Sequence, residues 1–208
     1  IMLDEQKVVY EEILNESRQS AKDDKKRVVI VKGGPGTGKS VVAVNLLAEL
    51  TKEDQFCQYV SKNSAPRNVY RKKLKGSIRK SSVDNMFKGS GIYTETDNNM
   101  IDTILVDEAH RLNEKSGMFH NMGENQIKEI IHAAKCSVFF IDESQRVTLQ
   151  DIGRVNEIRK WAEKEKAQVT EMELVSQFRC NGSDGYLAWL DHTLEICDTA
   201  NFDMEDID

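Results

Sequence analysis

A three-layer α/β/α fold around a mainly parallel sheet is what this sequence predicts, on three observations. Short β-branched runs alternate with amphipathic stretches along the 208 residues, as they do where helices cross over between parallel strands. A glycine-rich turn, Gly33 to Gly38, joins the apolar run Val28–Val31 to a helical segment. A second apolar run, Ile104–Val106, ends abruptly in two carboxylates, Asp107 and Glu108.

Each element follows in order. Residues 4–21 form a helix whose apolar stripe is Val8, Val9, Ile13 and Leu14. Residues 27–32 are a buried strand and 39–50 a helix. A second strand over 56–61 is followed by a helix across 68–75. The strand 101–106 comes next, then a helix at 125–134, a strand at 136–141, a helix at 151–166 and a fifth strand at 168–174. A helix over 184–196 completes the fold. The two prolines, Pro35 and Pro66, mark no internal linker, so one domain is expected over 1–190. Residues 191–208 carry seven acids and no Lys or Arg, and read as an acidic tail or the stub of a truncated second domain.

Composition excludes several classes. Lys plus Arg is 29 against 35 for Asp plus Glu, a net charge of −6, which argues against a strongly basic, sequence-blind DNA-coating protein. No apolar run approaches the roughly 20 residues of a bilayer span, so no membrane association is expected. The chain opens at Ile1-Met2 without a basic-then-apolar leader, as a piece trimmed from a longer chain does. The cysteines Cys57, Cys136, Cys180 and Cys197 form no Cys-x-x-Cys pair, and the four histidines are scattered. Reduced cysteines in a cytoplasmic protein are expected, with no zinc site.

The strongest signal is Gly33-Gly34-Pro35-Gly36-Thr37-Gly38-Lys39-Ser40, the Walker A phosphate-loop pattern between a strand and a helix. The glycines let successive backbone N–H groups turn inward toward phosphate oxygens, and the following helix adds its positive end. Lys39 supplies a full charge to the β- and γ-phosphates, and the Ser40 hydroxyl is a Mg²⁺ ligand. The strand ending in Asp107-Glu108-Ala109-His110 fits Walker B, with Asp107 on the Mg²⁺ shell and Glu108 orienting and deprotonating water. One strand later, Ile141-Asp142-Glu143-Ser144-Gln145 offers Gln145 as a reporter of the γ-phosphate. Arg179, after the fifth strand, either neutralises charge on the transferring phosphoryl group or makes a surface ion pair. Gln6 either reads the adenine edge, favouring ATP over GTP, or belongs to an ordinary capped helix start.

Together these segments resemble the core of superfamily 1 helicases, and within them the Schlafen group 3-like DNA/RNA helicase domain family. The resemblance rests on Leu3-Asp4-Glu5-Gln6, the phosphate loop, Val106 to His110, Phe140 to Gln145 and Gln177 to Asn181. It implies a RecA-like domain, adenine recognition by Gln6, phosphate binding by Gly38 and Lys39, and Mg²⁺ on Ser40 and Asp107. It also implies catalysis by Glu108, sensing by Gln145 and an arginine finger at Arg179. Ile141 stands where the superfamily usually has glycine. The chain ends shortly after Arg179, so a second RecA-like domain is expected downstream.

The expected activity is Mg²⁺-dependent ATP hydrolysis by the motor domain of a helicase, weak in this chain alone. Eight bases and no acid lie between Ser61 and Val83. Among them Lys62, Arg67, Arg71, Lys72, Lys73 and Lys75 are the expected contacts to single-stranded nucleic acid, since the corresponding superfamily 1 segment makes them. A solvated helix face is the plainer reading of the same stretch. The alternative function is a nucleotide-controlled regulatory module that binds a protein or nucleic-acid partner without unwinding. A GTPase fits less well, because no Asn-Lys-x-Asp segment is present to read guanine.

Overall fold

The computed structural model of the chain describes residues 2–74, 79–117 and 121–176. Helix α1 (Asp4–Asp23) turns through Asp24, in the left-handed region, into strand β1 (Arg27–Gly33). Four successive apolar residues of β1 are fully buried because both faces of the strand are covered. Val29 and Val31 face one layer, Val28 and Ile30 the other. After β1 come α2 (Lys39–Lys52), β2 (Cys57–Val60), α3 (Ser64–Leu74), α4 (Lys80–Met86) and β3 (Phe87–Lys88). They are followed by β4 (Ile101–Val106), α5 (Gln126–Ala133), β5 (Ala134–Ile141), α6 (Val155–Lys164) and β6 (Gln168–Leu174).

Among the described residues six strands form one sheet in the order β3-β2-β4-β5-β1-β6, and every neighbouring pair is parallel. On one face, Val9, Ile13 and Leu14 of α1 and Val42, Leu46 and Leu50 of α2 pack on Val29, Val31, Val138 and Phe140. On the other, Ile127, Ile130 and Ile131 of α5 and Ile158 and Trp161 of α6 pack on Val28, Ile30, Ile104 and Phe139. Burying such a side chain contributes roughly 1.5–3 kcal/mol, so the two clusters hold the three layers together. This is the expected α/β/α architecture.

Four details differ from the sequence reading. Helix α3 starts at Ser64, not at 68, because Pro66 falls in the first turn, where a missing N–H breaks no intrahelical bond. Helix α4 and the two-residue edge strand β3 are too short to carry a periodic signal. Helix α6 starts at Val155: Asp151 instead turns into the interior, and Gly153 passes so close to the Ala109 carbonyl that a Cβ would collide with it. Strand β5 begins at Ala134, directly after α5, rather than at 136. The expected helix over 184–196, the boundary near 190, the acidic segment 191–208, Arg179 and Lys75 lie outside the described residues.

Candidate nucleotide site

All the strands point the same way, so the loops after β1, β4 and β5 leave one edge of the sheet together, where open α/β sheets bind ligands. β5 lies between β1 and β4, which sets those two strands about 10 Å apart. The first turn of α2 bridges that gap.

The phosphate loop folds around its own lysine. Lys39 is buried, and its Nζ donates to the carbonyl oxygens of Gly33 and Gly34, both at 2.6 Å. Gly38, the N-cap of α2, has φ 86°, and a Cβ there would collide with the Gln6 amide. No side chain caps α2 and no acid stands in its first turn, so its N–H groups are left to face the loop. Gln6 is buried beside the loop: its Nε2 donates to the Thr37 carbonyl at 3.1 Å, and its Oε1 accepts from the Leu3 N–H at 3.2 Å.

Asp107, at the exit of β4, is 2 % exposed. Its Oδ2 accepts the Ser40 hydroxyl at 2.7 Å and the Tyr59 hydroxyl at 2.5 Å, while its Oδ1 accepts the Glu108 N–H at 3.1 Å. Burial pushes its carboxyl above the ordinary range, outweighing those hydrogen bonds. A buried carboxylate in contact with a hydroxyl is a hard-oxygen donor pair that a bound cation would relieve. It fits Mg²⁺, which takes few protein ligands and keeps several waters. Among the described residues no cluster of three or more His, Cys, Asp or Glu side chains forms a different kind of metal site.

Glu108 has left-handed backbone angles, φ 57° and ψ 44°, uncommon for a residue with a side chain and typical of functional sites. Its Oε2 is 3.1 Å from His110 Nε2. The Asp142 N–H donates to His110 Nδ1 at 3.4 Å, which leaves Nε2 as the protonated nitrogen that donates to Glu108. This hydrogen bond holds the Glu108 carboxyl below its ordinary range despite partial burial, and the charges of Lys39 and Arg111 act in the same direction. Asp142 in turn accepts the Ser144 N–H and hydroxyl at the start of the turn that carries Gln145.

A cavity of about 410 Å³ joins these parts; Gln6, Pro35, Gly36, Gly38, Lys39, Ser40, Glu108 and Gln145 line it. The structure thus brings Gln6, the loop, Glu108 and Gln145 around one cavity, with Asp107 hydrogen-bonded to Ser40 of its lining. Gly33, Gly34 and Thr37 form the base of the loop, with the Thr37 hydroxyl on the Gly34 carbonyl at 3.0 Å. Two contacts escaped the sequence reading. His110 was counted among four scattered histidines although it stands two residues after Glu108, and Tyr59, an aromatic residue in an apolar strand, lies 48 residues from Asp107 with no local sign of that partnership.

The basic stretch is placed less uniformly. Lys62 donates to Asn113 and to the buried Asp151, at 2.9 and 3.1 Å. Arg67 donates to the carbonyls of Ser61 and Asn63, and Arg71 to that of Phe87 at 2.7 Å. Lys72 and Lys73 are exposed on α3. The described cysteines, Cys57 and Cys136, are buried free thiols, and burial pushes Cys57 up to about 12. No described helix is long and apolar enough to cross a membrane.

Comparison with a solved helicase structure agrees with this fold. Among solved structures, the Pif1 helicase from Candida albicans superposes with a TM-score of 0.55 at 16% identity, covering 96% of this chain and 45% of that one. AMPPCP-bound DnaA from Aquifex aeolicus gives a TM-score of 0.43 at 15% identity, covering 97% of this chain and 56% of that one. The chain thus spans about half the length of these structures. No curated protein sequence matches it. The sequence model described as Schlafen group 3, DNA/RNA helicase domain matches residues 26–208, nearly the whole chain, from the strand before the phosphate loop onward. A P-loop at one edge of a parallel RecA-like sheet and a match of that extent lead to one conclusion: the chain belongs to the Schlafen group 3 DNA/RNA helicase domain family.

Proposed function

We propose that this domain binds ATP with Mg²⁺ and hydrolyses it, as the first RecA-like half of a nucleic-acid-dependent motor. The observation that carries the proposal is the 2.7 Å contact between Ser40 and Asp107, beside a cavity that Lys39 and Glu108 both line. Ser40 and Asp107 are the residues to hold Mg²⁺, which when bound neutralises charge on the phosphates. Lys39 exchanges its two carbonyl partners for β- and γ-phosphate oxygens, since a bond between opposite charges is stronger than one to a neutral carbonyl. Loop N–H groups and the uncapped start of α2 add donors on the same side.

Glu108 orients a water and takes its proton as the water oxygen attacks the γ-phosphorus; the bond to the bridging oxygen breaks and ADP leaves. His110 keeps Glu108 ionised and aimed. Gln6 uses one amide hydrogen and one lone pair on Thr37 and Leu3, which leaves one donor and one acceptor for an adenine edge. Gln145 reports the γ-phosphate, and Arg179 is assigned the arginine finger. Such a finger is worth about 10³ to 10⁵ in rate, so turnover by this chain alone is slow if Arg179 needs a downstream second domain to seat it. In the intact protein the exposed bases of α3 meet single-stranded nucleic acid.

The test is calorimetric titration of ATP with Mg²⁺ into wild type and Lys39→Ala. Loss of the charge-assisted bonds should weaken binding about ten- to a hundredfold. Equal binding by the two proteins overturns the assignment.

A further inference from the structure

Asp107 Oδ2 accepts two hydroxyls, and only one of them belongs to the phosphate loop's own helix. The other is Tyr59, a fully buried residue of β2, whose Oη lies 2.5 Å from that oxygen. Phenylalanine would fill the same apolar position in the strand, so packing does not call for the hydroxyl. Its place is explained by the carboxylate. Ser40 is the hydroxyl assigned to the cation, which leaves Tyr59 as the donor that fixes the orientation of the Asp107 carboxylate.

The Tyr59 ring is not isolated. Tyr70 of α3 meets it edge-on at 5.7 Å and 73°, and Phe87 of β3 lies 5.6 Å away. Tyr70 also stacks on Phe87 at 5.6 Å and 16°. Helix α3 has no fully buried residue, so half-buried Tyr70 and Leu74 are its apolar anchors in the core. Its last turn carries Arg71, Lys72 and Lys73. A basic helix with a shallow seat therefore rests, through one aromatic ring, on the residue that holds the carboxylate.

We propose that Tyr59 is a positioning residue for the metal-binding carboxylate, and that single-stranded nucleic acid seated on α3 is reported to the nucleotide site along Tyr70, Tyr59 and Asp107. This rests on the reading of the cleft as a Mg²⁺–ATP site. It gives the basic helix a route to that site that passes beneath the sheet edge rather than through a second domain.

The experiment measures equilibrium ATP affinity of the 208-residue chain by calorimetry, with Mg²⁺ and with EDTA, before and after adding oligothymidylate. In Tyr59→Phe, which keeps the ring, the ratio of the Mg²⁺ to the EDTA affinity should fall about tenfold, the usual loss when a metal ligand loses its outer partner. An unchanged ratio overturns the positioning role. Oligothymidylate should shift the Mg²⁺–ATP affinity of wild type and of Tyr70→Phe, and should not shift that of Tyr70→Leu, which keeps an apolar anchor without the ring. No shift in wild type, or an equal shift in Tyr70→Leu, overturns the relay. If wild type binds ATP equally well with Mg²⁺ and with EDTA, the Mg²⁺–ATP reading itself fails, a result distinct from either of these.

Discussion

Replacing Asp151 by alanine should destabilise the domain by about 3 kcal/mol, because this one buried carboxylate gathers three segments at the functional edge of the sheet. It accepts the N–H groups of Val147 and Thr148 at 3.2 and 2.9 Å and the Lys62 ammonium at 3.1 Å, and pairs with Arg111 at 3.3 Å. Removing one partner of a buried ion pair costs about 3–5 kcal/mol. Lys62 and Arg111 retain 27% and 23% exposure and recover some hydration, so the lower end applies. For a chain of this length the melting temperature should fall by about 6–12 °C. Burial by itself would raise the Asp151 carboxyl, but the Thr148 N–H, the Lys62 ammonium and the Val147 N–H outweigh it and hold the group well below the ordinary range. A depressed folded value means that the stabilisation is complete above about pH 4, where the unfolded carboxyl is ionised, and fades as the pH drops through the folded value. The stability gap between wild type and Asp151→Asn should therefore narrow in acid. Urea denaturation at neutral pH measures the alanine variant directly. A loss under about 1 kcal/mol would show that the clamp is ornamental and the loop after β5 is held by something else.

Three further outcomes are expected. Gln6→Ala should narrow the affinity gap between ATP and GTP, measured by competition titration, with phosphate-loop binding retained; an unchanged gap returns Gln6 to its structural bonds with Leu3 and Thr37. His110→Ala should lower single-turnover hydrolysis about tenfold or more while ATP affinity stays within about twofold, since it touches the base and not the loop; equal losses in both would contradict that division. Neutralising Lys72 and Lys73 together should reduce the slope of log affinity for single strands against log salt by about 1.4, the release of two counterions, and filter binding across a salt series reads it.

The phosphate loop and the acidic strand end were legible because their chemistry is local: the glycines, Lys39 and Ser40 are neighbours in sequence as in space. The layer order was legible for a similar reason, since β1 and β5 each hold a run of four apolar residues, Val28–Val31 and Val138–Ile141, that suits a strand buried on both faces. The supports of the site were not. Tyr59 meets Asp107 across 48 residues, and Lys62 meets Asp151 across 89, and no spacing rule reaches that far. The basic stretch is divided for the same reason: eight bases between Ser61 and Val83 suggest one surface, yet Lys62, Arg67 and Arg71 bond to carbonyls and a carboxylate while Lys72 and Lys73 stay exposed. A carbonyl acceptor leaves no trace in the sequence, because every residue has one.

The place of β1 between β5 and β6 has a consequence for the order in which the chain is made. Both of its partners, β5 and β6, come later, and the first of them begins at Ala134. At about 5–20 residues per second, a ribosome takes roughly 5–20 s to travel the hundred or so residues between Gly33 and that strand. Through that interval the nascent chain carries the run Val28-Val29-Ile30-Val31 with both strand edges unpaired, an arrangement open to wrong pairing. Helices α1 and α2, which cover one face of β1 and are both complete by Lys52, are the only early shelter it has among the described elements. Birth order thus gives α1 a second task, as a local guardian of β1 until the middle of the sheet arrives.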